Sequence, residues 1–140
     1  MAAHEQAKPV VLAVVRDLFF GNRIAHAAEA LGARVVFVRQ RADLPRLVAE
    51  HRPRALLLDL AAPGWTLADD LPAARAAAGG PLYILAFGPH AQADLLRAAR
   101  AAGCERVVAN SKLAAALPTL LAAALRGGSS TPAEPHSADL

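Results

Sequence analysis

Five short apolar runs, each followed by a segment with helical spacing, set the frame for this chain of 140 residues. The first run, Val10 to Val15, is continuous and rich in β-branched residues, as a strand covered on both faces reads. The second is Arg34 to Val38. The third is Ala55 to Leu60, apolar except for Asp59. The fourth is Leu82 to Phe87 and the fifth Arg106 to Ala109. The first helix is expected after Asn22, with Ile24, Ala27, Ala28 and Leu31 on one face and Gly32 as its C-terminal cap. The second carries Leu44, Leu47 and Val48 and ends before Pro53, and the third runs from Thr66 to Ala78, where Gly79-Gly80-Pro81 stops it. The fourth uses Leu95, Leu96 and Ala99 and closes at Gly103. The last uses Leu117, Leu120, Leu121 and Leu125, with Pro118 in its first turn.

Strands that alternate with helices require right-handed crossovers, hence a parallel sheet with helices on both faces. The expected architecture is α/β, a flavodoxin-like (βα)5 doubly wound sheet with strand order 2-1-3-4-5. Length and a hydrophobic content of 55% allow one domain with a real core, placed at residues 9–126. Residues 1–8 form a short polar extension, and residues 127–140, without apolar periodicity, are expected to be disordered. A single cysteine, Cys104, excludes an intramolecular disulfide and reads as a small buried hydrophobe. The five histidines show no i,i+4 pairing, so no metal cluster is expected. No apolar run approaches the roughly 20 residues of a membrane span, and no secretory leader is apparent. The expected compartment is the cytoplasm, with no membrane partner.

The formal charge is +3, and Arg34, Arg39, Arg41, Arg46, Arg52 and Arg54 gather in the second βα unit. No aromatic residues are interleaved there as stacking platforms, so a solvated basic face is expected rather than a nucleic-acid site.

In a doubly wound sheet the functional crevice lies outside the carboxyl ends of the strands, at the switch point between strands 1 and 3. The residues delivered there are Arg16 and Asp17, then Asp59, then Ala86 to His90, and finally Asn110, Ser111 and Lys112. Asp59 has two readings: a functional acid needing a partner or metal, or an acid capping the next loop. His90 either joins Asp59, Asn110 and Ser111 in a polar small-ligand pocket or follows a surface turn. Gly21, Gly64 and Gly88 are isolated, and neither a phosphate-cradling loop nor a nucleophile elbow is present, so an enzyme is not expected. Phe19-Phe20 reads first as a hydrophobic staple onto the opening helix and second as a contact patch.

The segment Asp59-Leu60-Ala61-Ala62-Pro63-Gly64, an aspartate four residues before a proline, resembles the phospho-acceptor segment of bacterial response-regulator receiver domains. The run Gly103-Cys104-Glu105-Arg106-Val107-Val108 resembles the glycine-led approach to their fifth strand. The likeness covers about residues 9–126. It implies two-component or phosphorelay signalling, with Asp59 in the phospho-acceptor position and, only if Mg²⁺ binding is retained, Asp17 and Asp59 as the metal ligands. It also implies protein partners, and a homodimer through the face of helix 4, strand 5 and helix 5, here Ala91, Leu95, Ala98 and Arg106.

The departures from the family pattern alter that expectation. Where the family carries two acids after strand 1, this chain reads Val15-Arg16-Asp17, and a guanidinium there repels Mg²⁺. The family's strand-4 hydroxyl aligns with Ala86, its lysine with Asn110 (Lys112 lies just beyond), and its strand-5 aromatic with Val107. The expectation is therefore a degenerate, pseudo-receiver-like domain acting through protein contact, without conventional Mg²⁺-dependent phosphorylation and with no cofactor. The alternative is a phospho-accepting regulator that uses Asp59 in an unconventional site. One physical account of the substitution puts the Arg16 guanidinium on Asp59, in place of the family's metal and lysine.

Overall fold

A computed structural model describes residues 8–127. The expected N-terminal extension, apart from Lys8, and the expected loose tail, apart from Gly127, lie outside the described residues. The chain runs β1 (Val10–Val14), α1 (Leu18–Ala30), β2 (Arg34–Phe37), a 3-10 turn (Arg41–Asp43), α2 (Leu44–His51), β3 (Ala55–Asp59) and α3 (Leu67–Ala78). It continues through β4 (Tyr83–Gly88), α4 (Ala93–Ala101), β5 (Arg106–Ala109), α5 (Asn110–Ala115) and α6 (Leu117–Leu125). The strands form one sheet in the order β2-β1-β3-β4-β5, every pair parallel, as the alternation of runs predicts.

The pleat sends successive side chains to opposite faces, and each face has its own core. Leu12, Leu56, Leu58, Ile84 and Ala86 pack on Leu44 and Val48 of α2, Leu71 and Ala74 of α3, and Leu96 and Ala99 of α4. Val11, Ala13, Leu57, Leu85 and Phe87 pack on Ile24 and Ala28 of α1, Leu113 of α5, and Leu117, Leu120 and Leu121 of α6. Burying one such leucine contributes about 1.5–3 kcal/mol, so the apolar strands and the leucine stripes of the helices hold the sheet together.

Two element boundaries differ from the sequence expectation, each for a local reason. α1 begins at Leu18, ahead of Asn22, because Asp17 caps it: its Oδ1 accepts the amides of Phe19 at 2.9 Å and Phe20 at 3.4 Å. The last helix is two helices, broken at Ala116 (φ −122°, ψ 27°). Pro118 lies in the first turn of α6, as expected, and has no N–H to offer the Ala114 carbonyl one turn earlier. Arg23 of α1 donates Nη2 to that carbonyl at 3.2 Å instead, tying the two helices together.

Candidate functional site

β3 ends on Asp59, opposite Phe87 of β4, and the carboxylate is buried. Both oxygens accept backbone amides: Oδ2 from Arg16 at 3.1 Å, and Oδ1 from Ala61 at 2.9 Å. The second bond caps the loop after β3, and the first stitches the β1–α1 loop to β3. Asp59 thus joins the two strands that flank the switch point.

Arg16 meets Asp59 through its backbone. Its side chain is exposed, and among the described residues no ion pair joins its guanidinium to Asp59. The expected Arg16–Asp59 side-chain pair is therefore replaced by an amide–carboxylate bond, since the chain turns outward between β1 and the cap of α1. Asp17, also exposed, spends one oxygen on the first turn of α1.

Ala86 lies opposite Leu58 and Val107, inside the core shared with Leu96 and Ala99, on the sheet face that alternation assigns away from Asp59. The end of β4 is Gly88, which contributes no side-chain oxygen. His90 is exposed in a turn closed by the Gln92 amide on the Pro89 carbonyl at 2.9 Å, and Gln92, not His90, stands at the start of α4. Asn110 and Ser111 are exposed on the first turn of α5, where Lys112 is half-buried. None of these four has a side-chain hydrogen bond or ion pair to Asp59 or Asp17 among the described residues. Phe20 packs edge-on against Phe87 with centroids 5.7 Å apart, whereas Phe19 is 75% exposed beside Leu18 at 76%. The pair divides between packing and display, and the staple reading gives way to an exposed patch at the start of α1.

Mg²⁺ requires near-octahedral oxygen ligation. The edge offers Asp59 and Asp17 as carboxylates, and among the described residues no cluster of three metal-ligating side chains occurs. One Asp17 oxygen is engaged by the helix cap, and both Asp59 oxygens accept backbone amides.

Sequence reasoning missed three features. Asp70, buried on α3, accepts Arg41 Nε at 2.7 Å and the Thr66 amide at 2.6 Å, closing the N-terminus of α3 and fastening the β2–α2 connection to it. The bond and charge of Asp70 hold the Arg41 guanidinium above its ordinary value. Glu105 and Arg75 form a polar node at the opposite edge of the sheet. A cavity of about 360 Å³ lies at the carboxyl edge toward β2, and His90, Asn110, Ser111 and Lys112 are not in its lining. The Asp70 contact falls one residue beyond capping-box spacing, and the other two bring together residues distant in sequence. In the basic second βα unit, Arg41 pairs with Asp70, Arg46 with Glu50 at 3.1 Å, and Arg54 donates to the Leu125 carbonyl at 3.1 Å.

Comparison with solved structures identifies the architecture. A signal receiver domain from Vibrio parahaemolyticus matches with a TM-score of 0.71 at 20% identity, over 87% of this chain and 94% of that one. A response regulator receiver protein from Burkholderia phymatum matches at 0.67 and 22%, over 90% of this chain and 100% of that one. The receiver domain of a sensor histidine kinase from Pseudomonas aeruginosa, which holds a magnesium ion in its active site cleft, matches at 0.69 and 24%, over 86% and 99%. No protein-family model matches the sequence, and a search of curated proteins returns no match. The chain has the receiver-domain fold, a five-stranded flavodoxin-like sheet. Among the described residues no helix is long and apolar enough to cross a membrane.

Proposed function

We propose that this chain is a degenerate receiver-like signalling domain that acts through protein–protein contact and lacks conventional Mg²⁺-dependent phosphorylation. The observation that carries the reading is the state of the edge acids. Asp59 is tied by two backbone amides, and its acidic neighbour Asp17 serves α1 as a cap. Phosphoryl transfer depends on positioned cations and an accessible acceptor. Here the half-buried Lys112 has no side-chain bond to Asp59, and the strand-4 end carries a glycine. The hydrogen bond from the Arg16 amide to Asp59 holds the β1–α1 loop without any phosphoryl group, which suits a domain kept in one conformation. The exposed Leu18–Phe19 pair supports contact with a partner, because large apolar side chains displayed together favour burial at an interface.

Intact-mass analysis after incubation with acetyl phosphate and Mg²⁺ tests the reading. The expected result is an unchanged mass. A labile phosphoryl adduct that disappears in Asp59→Asn overturns it in favour of an unconventional phospho-acceptor.

A further inference from the structure

The cavity at the carboxyl edge holds about 360 Å³, within the roughly 300–1,000 Å³ range of small-molecule pockets. It opens where β1 and β3 send their chains in opposite directions, the position at which doubly wound sheets receive ligands. Its apolar wall includes Phe37, Val38, Pro63 and Trp65, and Arg16 and Arg39 stand in its lining. Phe37 can lie against α1 because residue 21 is glycine. A Cβ there would come within 3.2 Å of the ring, so the missing side chain shapes the wall.

Arg16 and Arg39 are both exposed, and among the described residues neither side chain has a hydrogen bond or an ion pair. Asp17 also lines the cavity, but its Oδ1 accepts the amides of Phe19 and Phe20. Two guanidinium groups against one helix-bound carboxylate leave a net positive mouth on an apolar pocket. The Phe19 and Phe20 amides in the first turn of α1 are already taken by Asp17, which leaves little of a backbone cradle there for a phosphate chain.

We infer that this cavity binds a small amphipathic anion, with an apolar body against Trp65 and Phe37 and a carboxylate- or sulfonate-type head held by Arg16 and Arg39. Guanidinium groups suit such heads because their planar donors match two oxygens at once. The inference goes beyond the signalling reading and does not depend on the chemistry of Asp59. A bound anion would draw the β1–α1, β2–α2 and β3–α3 loops onto one ligand, with Leu18 in the lining and Phe19 outside it.

Trp65 is the only tryptophan in the chain, so its emission reports on the cavity wall. The full chain is titrated with 8-anilinonaphthalene-1-sulfonate and, separately, with the uncharged N-phenyl-1-naphthylamine. The sulfonate is expected to bind saturably at one site and to change Trp65 emission. Arg16→Gln/Arg39→Gln should weaken it by about tenfold or more, the loss of charge-assisted bonds, while affecting the neutral dye little. Phe19→Ser, outside the cavity lining, should leave the affinity unchanged. Absence of saturable binding overturns the inference. So does equal affinity in the arginine double variant, or loss of binding in Phe19→Ser alone, which would mark adsorption to the exposed patch. None of these outcomes affects the mass assay on Asp59, so the two readings fail separately.

Discussion

Glu105 offers a stringent test of how the edge of the sheet is closed. β4 pairs with β5 only from Leu85 onward, opposite Arg106, so the amide of Ile84 lies one residue outside the ladder. Glu105 Oε1 fills the gap, accepting that amide at 2.8 Å and Arg75 Nη2 at 3.1 Å. Arg75 is held independently, by the Leu82 carbonyl at 3.0 Å and the Gly103 carbonyl at 2.7 Å. The Arg75–Glu105 pair is more than a third exposed on both sides (35% and 38%), so solvent screening leaves the ion pair about 0–1 kcal/mol. The larger cost of Glu105→Ala is the unpaired Ile84 amide, about 1–3 kcal/mol. A loss of about 2 kcal/mol is expected, a fall in Tm of roughly 10 °C for a domain of this size. Glu105→Gln keeps an acceptor oxygen for Ile84 and should lose less than about 1 kcal/mol. Urea unfolding followed by circular dichroism, at low salt and in roughly 0.5 M NaCl, measures both variants. The part-buried hydrogen bond from the Ile84 amide is screened much less than the exposed ion pair, so most of the Ala penalty should persist in salt. Equal losses in Ala and Gln, or an Ala penalty abolished by salt, would refute the assignment of the energy to the amide.

Other perturbations separate the roles of the edge residues. Asp17→Ala should cost about 0.5–2 kcal/mol as a lost helix cap, and Asp17→Asn only a few tenths, measured by the same unfolding assay. A large loss in both would point to a role for the charge itself. Arg16→Ala should change stability by no more than about 0.5 kcal/mol, because the residue meets Asp59 through its amide; a loss well above that would restore the side-chain pair. Burial, followed by the Glu105 carboxylate, pushes the Cys104 thiol up from 9.0 to about 11. Iodoacetamide at pH 8 should therefore react on the order of 100-fold more slowly with the folded chain than with the urea-unfolded chain. The raised value also favours the folded state below pH 9, an advantage lost as the pH rises from 9 to about 11. Equal alkylation rates would show that the thiol is not shielded.

The fold was largely legible because its signal is repeated. Val10 to Val14 and Ala55 to Leu58 are buried on both faces and so read as unbroken apolar runs, while Gly79-Gly80-Pro81 announces the stop of α3. Boundaries governed by a single side chain were less visible. Asp17 as a cap and Pro118 as a break each depend on one local hydrogen bond, made or forbidden. Of the site, Asp59 stood out as an acid in an apolar strand. Ala86 was misplaced because pleat alternation, and with it the register against Leu58, decides which face a strand residue takes.

By itself the sequence determined the alternation of strands and helices and the delivery of Arg16, Asp17 and Asp59 to one edge. These follow from periodicity and from the handedness of crossovers, which are properties of the chain taken a segment at a time. Only the tertiary structure decided that Asp59 is held by amides rather than by a guanidinium. It also brought Arg16, Arg39, Phe37 and Trp65 around one cavity. Arg16, Arg39 and Trp65 come from the loops after three different strands, and Phe37 from the end of β2. Their approach depends on strand register and the exit angle of each loop, to which no local pattern is sensitive.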